Sequence, residues 1–330
     1  MKKMEDINPH HENFLTLKGK FLAKKKDLKE IQDFVDELHD IYKTSSNKKQ
    51  KYILHILSKL HLYLNELQQD ENFDFRKIAE SFFEKYDTNT SSETIASYLL
   101  FKASFEIGQN KDIQEGIKIA KRALESKWRT GHLKSIARIL CIDKNNISIL
   151  REAINSSGGD LYPPTVADLN ADIYVTEGEF EKALEIIDEQ RANSHLSLAE
   201  FLLSKSYMLL RIGRNSEVIK LIDSKIDSVK GISEKDILII NREVAKKALG
   251  HKLKENELLS VISHNHSKGH KSMCAFFLLS KLKEARKILK ASIEKDYLNY
   301  YVIKEWPAVS QEELDQFTYL EKVAEEDLKK

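Results

Sequence analysis

The sequence predicts an all-α protein built from many short helices, and three observations predict it. Glycine and proline are scarce, 11 and 4 in 330 residues, beside 41% hydrophobic and 32% charged residues. That is the balance of a helical protein, not of a sheet-based enzyme rich in turn glycines. Apolar residues recur at three- and four-residue spacing, as at Ile31, Phe34, Val35, Leu38 and Ile41, which sets them on one face of a helix, and runs of strand-like alternation are missing.

In chain order, the first ninety residues read as two helix pairs, 14–26 with 28–42 and 51–67 with 75–86. Turn-forming clusters separate these and later helices at 44–49, 70–74, 87–92, 108–112, 156–164, 177–179, 213–215 and 263–269. The helices between them are three or four turns long, too short to bury an apolar face alone, a pattern that points to repeats. Beyond Asp296, Tyr297, Tyr300, Tyr301 and Trp306 precede Pro307 and an acidic helix over 310–329.

The clearest unit spans 167–187. Ala171 and Tyr174 lie on its first helix, Gly178 and Phe180 at the turn, and Ala183 on the second helix. A small residue at the crossing lets two helices approach to about 8–10 Å, while glycine permits the reversal and the aromatic fills the wedge. This pattern resembles the tetratricopeptide (TPR) family. With Ala183 as anchor, equivalent second-helix positions fall at Gly116, Leu150, Val218, Glu255 and Ala285, in steps of 34, 33, 35, 37 and 30, scattered around the family period of about 34. The resemblance implies an α-solenoid of about eight antiparallel helix pairs wound in a right-handed superhelix. The expected divisions are 1–90, divergent repeats or a separate cap; 91–296, the repeat array; and 297–330, capping helices that cover the last apolar face.

Composition bears on function as well. The 53 basic and 52 acidic residues leave a net charge of +1, so no global field draws the chain to nucleic acid or an anionic membrane. Cys141 and Cys274 lie 133 positions apart, which is neither a disulfide framework nor a zinc spacing and fits a reducing cytoplasm. Residues 1–11 begin positively but contain no apolar signal core, and no apolar run nears the roughly 18 residues of a membrane span. A cytoplasmic protein without a membrane partner is expected.

No catalytic motif stands out. The glycine-flanked serine elbow, the His-Glu-x-x-His metal motif and the phosphate-binding Gly-Lys-Ser/Thr loop are all missing. His132 with Cys141, nine residues apart, makes a poor protease dyad, and Arg191 with His195 misses the spacing of all-helical ribonucleases by one residue. His264, His266, His270 and Cys274 are four zinc-type ligands in eleven residues, but they lack the paired two-residue spacings of structural zinc sites, so the favoured reading is a solvated loop before a buried cysteine and no metal is expected. No cofactor is expected.

Three surfaces are candidates for binding. In a stacked array the first helix of each pair lines the concave side, which assigns Tyr98, Phe101 and Phe105, then Thr165, Asp168 and Asp172, then Glu200, Leu203, Tyr207 and Arg211 to a groove for a protein or peptide. The Lys/Asn/Arg set with which TPR domains grip a C-terminal carboxylate is absent there. Lys18, Lys20, Lys24, Lys25 and Lys26, with Lys48, Lys49 and Lys51, form a basic patch. It suits a nucleic-acid accessory subunit, or is a solvated face, since Asp27, Glu30, Asp33, Asp36 and Glu37 follow. Finally, Glu305, Glu312, Glu313, Asp315, Glu321, Glu325, Glu326 and Asp327 oppose four lysines in the last thirty residues, and oppositely charged termini permit a head-to-tail homo-oligomer. The reading that unites these features is a non-catalytic scaffold or adaptor.

Overall fold

The computed structural model describes residues 12–25, 27–66, 75–87, 95–126, 130–157 and 161–317. Among them are eighteen α-helices and no β-strand. The chain divides into two compact units, 1–140 and 141–330.

Unit 1 holds α1 (Glu12–Lys25), α2 (Leu28–Lys43), α3 (Asn47–Glu66), α4 (Phe75–Tyr86), α5 (Ala96–Phe105), α6 (Ile113–Glu125) and α7 (Thr130–Leu140). The Asp27 side chain caps α2 by accepting from the Glu30 amide, satisfying one of the orphan donors of a helix start. That helix buries Ile31, Phe34, Val35, Leu38, Ile41 and Tyr42, each side chain contributing about 1.5–3 kcal/mol of transfer free energy before entropy is counted. α3 begins at Asn47, so Lys48 and Lys49 belong to its first turn and not to a loop.

α5 is buried on nearly all sides, as befits a helix apolar all round. It touches α3, α6 and α7, which ties residues beyond 90 to the helices before them. A π-helical turn, Glu106–Asn110, and Lys111 in the left-handed region (φ 60°) then reverse the chain. α6 arrives so close that a Cβ on Gly116 would stand 2.3 Å from Ile107 Cγ1 and 3.0 Å from the Ala103 carbonyl oxygen. Only glycine fits this crossing.

Unit 2 holds α8 (Ile147–Ser156), α9 (Pro163–Glu177), α10 (Phe180–Ala192), α11 (Leu198–Arg211), α12 (Asn215–Asp223), α13 (Ile232–Ala248), α14 (Glu255–His264), α15 (Gly269–Leu278), α16 (Leu282–Lys295), α17 (Leu298–Ile303) and α18 (Gln311–Asp315). From α9 to α17 each helix packs on the next, and α11, α13 and α15 also touch one another in series. α1, α3, α5 and α7 make the corresponding series in unit 1.

One turn recurs. Gly178, Gly213, Gly250 and Ser280 all have positive φ, at 85°, 74°, 69° and 57°. The amide of the following residue donates in each case to a carbonyl five residues back: Glu179 to Tyr174, Arg214 to Leu209, His251 to Lys246 and Lys281 to Phe276, at 2.8 to 2.9 Å. This is the left-handed helix stop in which a C-terminal carbonyl regains a donor. These four stops lie five residues before Ala183, Val218, Glu255 and Ala285, at intervals of 35, 37 and 30 residues, and the same turn also follows α10 at Ser194 (φ 58°) and α14 at His266 (φ 51°), where His195 donates to Gln190 and Ser267 to Ile262. Lys111 stands at the same distance from Gly116.

Of the acidic helix expected over 310–329, residues 310–317 fall within the described residues, and Gln311–Asp315 of these are helical. Its Glu313 is buried and takes a two-pronged ion pair from Arg286 of α16, at 2.8 and 2.7 Å.

Candidate functional site

The aromatic residues assigned to the groove in unit 1 are core residues. Tyr98, Phe101 and Phe105 are 2%, 1% and 4% exposed. The cause is a second aromatic layer on α4. Phe83 lies 4.9 Å from Phe101 and 5.2 Å from Phe105, and Phe82 lies 5.5 Å from Phe101, all between ring centroids. Tilted and edge contacts of this kind favour burial over ligand contact. The Tyr98 hydroxyl is spent on Asp87, 2.6 Å away.

Unit 2 presents a partly open polar face where α9, α10 and α11 meet the segment after α17. Arg211 sits in the last turn of α11, with Tyr207 one turn before it, and its Nη1 donates to the Tyr207 hydroxyl at 3.0 Å. The guanidinium carbon lies 4.8 Å from the Phe180 ring centre and 5.8 Å from that of Tyr207, so two aromatic faces support the cation. The same Nη1 donates to the Glu305 carbonyl oxygen at 3.2 Å and to the Glu305 carboxylate, 94 residues downstream. Burial works against the Arg211 charge, but Glu305 and Tyr207 outweigh it and hold the guanidinium above its ordinary pKa. Burial also pushes the Tyr207 phenol up, with smaller contributions from Glu305 and Asp172. Asp172 of α9 therefore shares this neighbourhood with Tyr207 and Arg211.

The other expected groove residues do different work. Thr165 is buried, Asp168 and Leu203 are half-buried, and Glu200 is exposed but forms the capping box of α11 with Ser197. Two members of the face escape sequence reasoning. Phe180 reads as a turn wedge, and Glu305 is merely one acid among eight. No local signal links Glu305 to Arg211.

The basic patch is dispersed. Lys18 pairs with Glu37 at 2.6 Å and lies over the Phe34 ring, and Lys25 pairs with Glu30. Lys48 and Lys51 are exposed and Lys49 is half-buried on α3. Lys20 and Lys24 lie on α1, with side chains outside what the structure describes, and Lys26 falls outside the described residues. The acids that follow the lysines in sequence are thus the ones that neutralise Lys18 and Lys25.

The histidine and cysteine cluster is taken apart by the fold. His264 Nδ1 contacts Asp236 of α13 at 3.0 Å, whereas His270 Nε2 contacts Ser292 of α16 at 2.6 Å. His266 is exposed, and Cys274 is fully buried with its thiol pushed up to about 12 by desolvation. Among the described residues, no group of three His, Cys, Asp or Glu side chains is placed to hold a metal ion. No described helix is long and apolar enough to cross a membrane.

A charged network on α13 is the largest feature that the sequence does not announce. Arg242 and Glu243 are 2% and 0% exposed. Glu243 accepts from Arg242 Nε at 3.0 Å, Lys246 Nζ at 2.8 Å and the Lys254 amide at 2.8 Å. Arg242 also reaches Asp223 at 3.0 Å and Glu257. Every charge is matched, and the network joins α12, α13 and α14, so it holds helices together and presents no open chemistry.

Comparison with known proteins returns no match: no family model, no curated protein and no solved structure is significantly similar to the chain.

Proposed function

We propose that the chain is a TPR-like α-solenoid that serves as a protein-interaction scaffold or adaptor, binding a protein or peptide and performing no chemistry itself. The observation that carries this reading is the recurring left-handed stop at 178, 213, 250 and 280, five residues before each second-helix anchor. A turn of one geometry ahead of each second-helix anchor, with the same turn also closing helices at 194 and 266, suits stacked helix pairs, and such arrays act through extended faces rather than enclosed pockets. The face bearing Asp172, Tyr207 and Arg211 is the part of the array best suited to a partner, because tyrosine and arginine carry much of the binding energy at interfaces.

The test is a pull-down from nuclease-treated lysate with the full chain and with a Tyr207→Ala/Arg211→Ala variant. A stoichiometric protein retained by the first and lost from the second, with equal melting temperatures, is the expected result. Retention of nucleic acid alone from untreated lysate would replace the adaptor reading with the accessory-subunit reading.

A further inference from the structure

Arg211 is engaged in an incomplete way. Its Nη1 carries all three of its hydrogen bonds, to Tyr207, to the Glu305 carbonyl and to the Glu305 carboxylate. Nε and Nη2 make no bond among the described residues. A guanidinium binds a carboxylate best through two parallel bonds, as Arg286 binds Glu313 elsewhere in this unit. Glu305 therefore draws less from Arg211 than a freely orienting carboxylate would. The pair is also partly open to water, with 28% and 44% of the two side chains exposed, which lowers the cost of parting them.

The neighbouring residue shows what else the face accepts. Trp306 follows Glu305 directly and packs edge-on to the His270 ring, with 5.1 Å between centroids. The dipeptide thus touches α11 through its carboxylate and the start of α15 through its indole. An acid and an adjoining aromatic make a short, separable recognition element.

We propose that Arg211, supported by Tyr207 and Phe180, together with His270 forms a receptor for a partner's peptide in which Glu or Asp adjoins an aromatic residue, the acid going to Arg211 and the aromatic to His270, and that Glu305-Trp306 is the chain's own stand-in for it. The proposal rests on the adaptor reading and names the partner's chemistry. The partner displaces Glu305, gains the two-pronged bond and keeps the aromatic support of Phe180 and Tyr207.

The experiment uses the full chain and a fluorescent peptide of residues 301–309. Removing the internal competitor raises apparent affinity by the inverse of the open fraction, so Glu305→Ala is expected to bind the peptide about tenfold more tightly than the unmodified chain when the open state is about 10% populated. Binding is expected to vanish when the peptide's glutamate is replaced by alanine, or when Arg211→Gln is added to Glu305→Ala. Glu305→Gln, which keeps the side-chain volume, serves the same comparison should the alanine variant melt early. Equal affinity for the unmodified chain and both Glu305 variants, or binding indifferent to Arg211, would overturn the proposal. Failure here with a partner still captured in the pull-down leaves the adaptor reading standing on another surface. Loss of both the peptide and any partner removes the two together.

Discussion

Gly116 shows how much a single side chain decides. A methyl group there would meet Ile107 and the Ala103 carbonyl, and neither backbone nor a buried isoleucine yields cheaply. Gly116→Ala is expected to cost about 1–3 kcal/mol through overpacking, measured by urea unfolding; an unchanged midpoint would mean that α5 and α6 do not cross so closely. The helix stops offer a matched pair. Gly178 has φ 85° with open space around its Cα, whereas Ser280 holds a left-handed φ of 57° with a side chain. Gly178→Ala should therefore destabilise by about 1 kcal/mol and Ser280→Gly stabilise by up to about the same amount, opposite shifts in melting temperature from turns of one geometry. The stops at Gly178 and Gly213 were legible in the sequence, because each glycine falls in a turn-forming cluster, whereas Gly250 carried no such mark. Ser280 was not legible either, since serine at a turn carries no mark of positive φ.

At the scale of the helix, α13 and α5 both bury residues that one helix alone would leave to solvent. Asp236, Arg242, Glu243 and Lys246 look like a solvated face, yet all four are buried, because partners from α12, α14 and α15 pair their charges. Charge patterning along one helix cannot reveal acceptors supplied by others. In α5 the aromatics sit beside the packing positions, where an isolated repeat would expose them, but the phenylalanines of α4 cover that side. Glu243→Ala would leave Arg242 and Lys246 short of their shared acceptor, at an expected cost of about 3–5 kcal/mol. Chemical unfolding monitored by circular dichroism checks this. A loss near that of an exposed pair, under about 1 kcal/mol, would show that the network contributes little.

Across the whole molecule, the two units resist acid by different means. In unit 1, His61 is buried between Phe82 and Phe101 and His39 stacks on Tyr86. Desolvation brings both down from 6.5 to about 4, with Lys85 and Lys43 adding repulsion at His39. A folded-state pKa below the unfolded value means that the unfolded chain binds the proton first. The stability is full above about pH 6.5 and drains away as pH falls toward 4, by roughly 3 kcal/mol for His61. In unit 2, burial shifts His270 the same way, whereas at Glu257 burial works against the charge but the bonds from Arg242 and Lys254 outweigh it and hold the carboxyl below its ordinary pKa. Hydrogen exchange at pH 7 and pH 5, corrected for intrinsic rates, should show unit 1 losing protection first, and His61→Phe should blunt the loss. Equal loss in both units would contradict this assignment. The contact between Arg211 and Glu305 belongs to the same scale, and no sequence pattern encodes it, since nothing nearby distinguishes Glu305 from the seven other acids at that end. It also has a place in time. Chains are made from the N-terminus at about 5–20 residues per second, so the 94 residues that separate the pair take roughly 5–20 s to appear. Once α10 and α11 have packed, the newborn chain carries Arg211 without Glu305 for that interval, the window in which the proposed receptor has no internal competitor.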